Sequence, residues 1–243
     1  MAGLRNNKKM KFYAHRGASA DFSEHTMAAY RGAIEQGALG FECDIRITKD
    51  EVPILWHDVN MKKEAKNSAI IANSTYAQVK SIYPALMTLN ELLDLAIENK
   101  KSLALETKHP VPTGNRVEEL VIAELQRRKD AIKKSGINIA IMSFSWFAIE
   151  KIKKMDPTIK TVMLLGDITN KITRRFTSAQ VIGPSVEMIK KSPELVREIK
   201  SSGKELYVWT VDSTEDLQYC ASVGVDIVMT NRPAHARSVL GYS

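Results

Sequence analysis

The residues able to do chemistry in this chain cluster at the ends of a few short apolar runs. His15 and Arg16 close the run at 11–15, Glu42 and Asp44 alternate within 39–45, and His57-Asp58 follow 52–56. Further along, Glu106 and Lys108 occupy alternate positions of 103–108. Three carboxylates offer hard oxygen ligands with room for water or further oxygens, a set that suits Mg²⁺ or Ca²⁺ and not a zinc cage. An imidazole, whose pKa is ordinarily about 6.5, can take or give a proton at neutral pH. The same residues also admit a purely structural arrangement, in which Arg16, Arg46 and Lys108 balance the carboxylates and the histidines finish their strands.

The elements that must position these groups follow from hydrophobic periodicity. In 39–45 the side chains alternate, with Leu39, Phe41, Cys43 and Ile45 on one face and Gly40, Glu42 and Asp44 on the other. A parallel barrel strand has both faces covered, so the two carboxylates would point inward at a desolvation cost of several kcal/mol unless cations offset it. The run at 103–108 repeats the pattern, with Ala104, Glu106 and Lys108 on one face. Strands are predicted at 11–15, 39–45, 103–108, 139–143, 161–165, 181–184, 206–211 and 225–230. Helical patterns separate most of them, at 23–36, 88–99, 117–129, 146–155, from 192 onward, and at 214–223. Ser23 is the predicted cap of the first helix, Gly37 its stop, and Thr88 with Glu91 forms a capping box.

Eight alternating strand–helix units predict a single (β/α)8 TIM barrel spanning 1–243, close to the roughly 250 residues such a barrel needs. A short insertion follows the second strand: a turn at 49–51, a strand at 52–56, and a stretch at 59–87 without clear periodicity. The crossover at 168–179 shows no helical pattern. Because parallel strands present their C-terminal ends at one face, His15 and His57 are expected at the mouth where barrel enzymes work.

Composition excludes several classes. With 44% hydrophobic and 26% charged residues the chain reads as an ordinary globular protein. Two cysteines, Cys43 and Cys220, give no disulfide framework. The net charge of +7 comes from lysines scattered around the chain without interleaved aromatics, which argues against nucleic-acid binding. No stretch has the ~20 apolar residues of a membrane helix. The polar, basic start carries no secretory signal pattern, so a cytoplasmic location is expected.

The segments His15-Arg16-Gly17, Glu24-His25-Thr26, Glu42-Cys43-Asp44, His57-Asp58, Glu106-Thr107-Lys108 and Trp209-Thr210-Val211-Asp212 together resemble the glycerophosphodiester phosphodiesterase family across nearly the whole chain. That resemblance implies a divalent metal, Mg²⁺ or Ca²⁺, at Glu42, Asp44 and Glu106, with His15 and His57 as acid and base. Beside such a centre Arg16 and Lys108 would hold the phosphoryl oxygens of a small-molecule phosphodiester, and Trp209 would either wall the pocket mouth or serve as core packing. The chain departs from the family pattern at His25, where asparagine is usual, at Glu51, where glycine is usual, and at Lys62-Lys63-Glu64, which replaces an Arg-Thr-Thr signature. Two rival readings accompany these departures. One is a degenerate barrel that binds a phosphorylated ligand without turnover. The other is a lysophospholipase D-like enzyme that releases phospholipid headgroups through peripheral membrane contact.

Overall fold

The computed structural model describes residues 9–166 and 171–242. The first half holds β1 (Lys11–His15), α1 (Met27–Glu35), β2 (Gly40–Ile47), β3 (Pro53–Leu55), α2 (Lys62–Ala65), α3 (Tyr76–Ile82), α4 (Leu89–Glu98) and β4 (Ser102–Thr107). It continues through α5 (Arg116–Arg127), α6 (Lys129–Ser135), β5 (Ile139–Ser143), α7 (Trp146–Met155), β6 (Lys160–Leu164) and α8 (Lys171–Phe176). The chain then runs through β7 (Val181–Gly183), α9 (Val186–Lys191), α10 (Pro193–Ser201), β8 (Glu205–Val208), α11 (Thr214–Ser222), β9 (Ile227–Thr230) and α12 (Pro233–Val239).

Eight of the strands pair in parallel in the order β1-β9-β8-β7-β6-β5-β4-β2, and β2 closes back on β1, so the sheet is a barrel with helices around it. β3 lies outside that ring as an antiparallel partner of the end of β2. The strand period of two sorts the side chains as the sequence predicts. Phe41, Cys43, Ile45, Leu103 and Leu105 join the outer core under the helices. Each such large aliphatic or aromatic side chain contributes about 1.5–3 kcal/mol by burial. Tyr13, Ala104, Met142, Leu164, Tyr207 and Met229 fill the interior. Gly40 is required there, because a Cβ would sit 2.6 Å from the Ser102 carbonyl oxygen and 2.7 Å from the Tyr13 ring.

Several expectations are corrected. Ser23 does not cap α1; Thr26 does, its extended backbone letting Oγ1 accept from the Ala29 amide while it donates to the Ser23 carbonyl. The crossover at 168–179 does contain a helix, α8, among its described residues; residues 168–170 lie outside them. Its sequence, Lys-Ile-Thr-Arg-Arg-Phe, has too few apolar positions to show a helical period. The insertion is also more ordered than its sequence suggests. Thr75 and Gln78 form a full capping box for α3, and Ile54, Trp56, Met61, Ile71, Val79 and Leu86 build a separate small core. Its apolar residues serve three short elements, so no single period runs through it. Glu51 adopts φ 62°, which costs a side-chain-bearing residue about 1–2 kcal/mol relative to glycine. Its carboxylate receives Nε and Nη2 of Arg116 at 2.9 and 2.7 Å, tying the hairpin to α5. Among the described residues, no helix is long and apolar enough to cross a membrane.

Candidate active site

Register decides which inward side chains meet. His15 of β1 stands beside Glu42 of β2, and Asp44 of β2 stands beside Glu106 of β4. His15, Arg16, Glu42, His57, Glu106, Lys108 and Trp209 line one cavity of about 200 Å³ at the C-terminal mouth of the barrel. Asp44 lies behind this surface, 1% exposed. Trp209 walls the cavity, its Nε1 donating to the Gly183 carbonyl at 2.9 Å and its ring meeting Phe144 edge-on.

Glu42, Asp44 and Glu106 each bring an oxygen within 4.8 Å of the others. The cations are unevenly shared among them. Lys108 Nζ bridges Asp44 Oδ1 at 3.1 Å and Glu106 Oε1 at 2.8 Å, while His25 Nε2 lies 2.9 Å from Asp44 Oδ2. Arg16 Nε also lies 2.9 Å from Asp44 Oδ2 but off the line of a hydrogen bond, which leaves that buried N–H without an acceptor among the described residues. Burial alone would raise the Asp44 pKa, but the His25 hydrogen bond and the charges of Arg16 and Lys108 hold it well below the usual range. Burial and the Asp44 charge push Glu42 well up, and the same two causes push Glu106 up to about 7. Glu106 shares Lys108 with Asp44, and Glu42 has no lysine or arginine ion pair among the described residues, so both carboxylates hold protons more tightly unless a further cation replaces them. A hard divalent ion fits this donor set and would remove that strain.

The two histidines sit in different surroundings. His15 is pushed down to about 4 by burial and then by the Arg16 charge, so it is neutral at pH 7 and its 3.8 Å approach to Glu42 is not an ion pair. Its Nδ1 is 2.7 Å from Asn231 Oδ1. The amide orientation follows from Asp212, whose carboxylate can only accept and takes Asn231 Nδ2 at 2.6 Å. Nδ1 of His15 thus carries the hydrogen and Nε2 keeps a free lone pair. His57 has a carboxylate partner instead, Asp58 Oδ1 at 2.7 Å from Nδ1, and its pKa is lowered mainly by burial.

Asn231 and Asp212 are participants that motif reasoning did not assign. Asn231 is 216 residues from His15, and only the closure of β9 on β1 brings them together. His25 does not face the cavity. At φ 61° it occupies a backbone region that asparagine and histidine enter more readily than most residues, so it can stand there in place of the usual asparagine at little added backbone cost. From there it holds Asp44 and meets the Tyr30 hydroxyl at 3.0 Å.

Known proteins share the barrel. Among solved structures, a phosphodiesterase from Oleispira antarctica in complex with the product sn-glycerol-3-phosphate superposes with a TM-score of 0.85 at 20% identity, covering 95% of this chain and 96% of that one. The glycerophosphodiester phosphodiesterase of Thermotoga maritima gives 0.80 at 21% identity, covering 95% and 98%. At such identities they establish the barrel alone. Sequence relatives are nearer. The probable glycerophosphodiester phosphodiesterase 1 of Mycobacterium tuberculosis is 34% identical over 93% of this chain and 91% of its own length. The glycerophosphodiester phosphodiesterase of Bacillus subtilis is 30% identical over 90% and 83%. Residues 15–235, from the first cavity histidine to beyond Asn231, match the glycerophosphoryl diester phosphodiesterase family, and this chain accordingly belongs to that family of phosphoric diester hydrolases.

Proposed function

We propose that the chain hydrolyses glycerophosphodiesters to an alcohol and glycerol 3-phosphate, with His15 and His57 moving the protons beside a divalent ion held by Glu42, Asp44 and Glu106. The observation that carries this reading is the meeting, at one small cavity, of two imidazoles in different hydrogen-bonded states with three carboxylates short of positive charge. Mg²⁺ or Ca²⁺ bound there supplies positive charge for the phosphoryl oxygens and for the hydroxyl that attacks.

The chain's own residues account for the rest. His15 Nε2, left with its lone pair by Asn231, takes the proton of the glycerol hydroxyl next to the phosphoester, and that oxygen bonds to phosphorus. Arg16 and Lys108, which line the cavity, face the charge that grows on the phosphoryl oxygens. His57, whose protonated form the Asp58 hydrogen bond supports against the lowering effect of burial, gives its proton to the departing alcohol as the alcohol oxygen leaves phosphorus. Water then opens the cyclic phosphate with the two histidines in reversed roles. His15 thereby returns its proton to the glycerol oxygen, and the proton that left with the alcohol is replaced on His57 by one from that water.

The route through the neighbouring hydroxyl gives a direct test. A diester whose glycerol lacks that hydroxyl is expected to compete with substrate for binding and to show no turnover, and bis-(p-nitrophenyl) phosphate to be a poor substrate. Efficient cleavage of either would mean that water attacks phosphorus directly.

The charge shortage makes a second prediction, about stability. Glu106 rises from an ordinary value near ~4.3 to about 7 on folding, so the metal-free folded form binds the extra proton. The stability this group contributes is present below the unfolded value and lost as pH rises through about 7. Metal-free protein is therefore expected to melt lower at pH 8 than at pH 5.5. Added Mg²⁺ or Ca²⁺ at ~100 times its dissociation constant should restore roughly 5–10 °C at the higher pH. Thermal melts with and without chelator decide it; a metal effect that is absent or that shrinks as pH rises would remove the ion from this site.

A further inference from the structure

A second cleft, of about 190 Å³, shares no lining residue with the catalytic cavity but is linked to it through Arg46, which holds the His57 carbonyl, and no step of the reaction uses it. Its walls come from the insertion, with Val59 and Ile70, and from the loop after β4, with Val111 and Pro112; Arg46 is the only ionisable residue among its lining. Arg46 is 8% exposed and uses one donor, Nε, on the His57 carbonyl at 2.9 Å. Its Nη groups have no hydrogen-bond or ion-pair partner among the described residues, and they are not sealed from solvent. A guanidinium does not shed its charge, and apolar walls strengthen its attraction for an anion.

The position of the cleft indicates which half of a substrate reaches it. Arg46 follows Asp44 by two residues on β2, a rise of about 7 Å. It touches the backbone of His57, the group assigned to the departing alcohol, and Val59 stands two residues beyond that histidine. His15, which serves the glycerol hydroxyl, belongs to β1 on the other side of β2. At about 190 Å³ the cleft has room for a two- or three-carbon alcohol with a terminal anion.

We propose that the cleft between the insertion and the β4 loop is the leaving-alcohol subsite, and that Arg46 selects diesters whose alcohol half carries a negative charge. The inference rests on the hydrolase reading above and adds the substrate class to it. A cationic alcohol would meet like charge at Arg46, and a neutral one would leave the guanidinium unpaired.

The test uses three glycerophosphodiesters of matched length, made from 3-hydroxypropanoate, 1,3-propanediol and 3-aminopropanol. For the wild type, kcat/KM is expected to be at least about tenfold higher for the carboxylate than for the diol, mostly through KM, and lowest for the amine. Arg46→Met should erase that ranking, lowering kcat/KM for the carboxylate at least about tenfold more than for the diol, with folding checked by circular dichroism. An equal loss on all three would show that Arg46 only braces the His57 backbone, and a wild type that prefers the diol or the amine would overturn the proposal without the variant. Calorimetric titration of the same three diesters lacking the attacking hydroxyl reads the subsite independently of turnover. If no diester is cleaved but the carboxylate form still binds about tenfold tighter, the hydrolase reading fails and the subsite stands. Equal binding of all three overturns the subsite.

Discussion

Glu106→Gln is expected to lower kcat/KM by about 10³-fold or more while leaving the metal-free barrel as stable as wild type or more so. The substitution keeps the shape and removes a negative ligand from a cluster in which metal charge supplies several kcal/mol to the transition state. It also removes a carboxylate that burial and Asp44 push up to about 7, so the folded chain loses a repulsion along with the activity. Glu42→Gln should behave alike, since its pKa is raised by the same causes. Asp44→Asn should differ. Asp44 is the partner of Lys108, His25 and Arg16, and its loss strands buried positive charge, so both turnover and the melting temperature in chelator should fall. Activity as a function of Mg²⁺ concentration, set beside melts in chelator, separates the two behaviours. Near-wild-type turnover of Glu106→Gln at low metal would take that residue out of the ligand set.

His15→Ala and His57→Ala are each expected to reduce kcat by at least about 10²-fold, the usual contribution of a positioned acid or base. The double variant should lose much less than the product of the two, because both serve one proton-transfer sequence. The leaving group distinguishes their roles. A glycerophosphodiester of p-nitrophenol departs without needing a proton, so the deficit of His57→Ala should shrink with it while that of His15→Ala persists. His15 is neutral and aimed by Asn231, whereas His57 is paired with Asp58, and this asymmetry underlies the expectation. If both deficits shrink together, the assignment of base and acid is wrong; if either variant matches wild type between pH 5 and 9, the two-histidine scheme is.

Much of this was legible in the linear chain because it is local. Alternation along β2 and β4 depends only on the period of two, so Glu42, Asp44 and Glu106 could be assigned to the barrel interior without knowing their neighbours. His15 could be placed at the mouth for a similar reason, since it terminates a parallel strand; His57 follows β3, which runs antiparallel outside the ring, and reaches the mouth because that hairpin turns back along the end of β2, where the Trp56 amide meets the Asp44 carbonyl. The His15-Arg16-Gly17 and His57-Asp58 segments are contiguous, so they survive as recognisable patterns. The helix cap was misjudged by three residues because Ser23 and Thr26 are equally good capping types, and only the turn leaving β1 selects between them.

Residue types and the strand period thus determined the barrel, its inward carboxylates and its two imidazoles from sequence alone. Tertiary structure decided what those groups are able to do. Parallel register set Asp44 beside Glu106 and so divided three carboxylates into one held ionised and two in need of a cation. Closure of β9 on β1 brought Asn231 and Asp212 to His15 and chose its tautomer. Packing of the insertion against the β4 loop left Arg46 facing a cleft. These outcomes depend on distances between residues far apart in the chain, and electrostatic and hydrogen-bond energies vary steeply with such distances, whereas composition and periodicity carry information only about near neighbours.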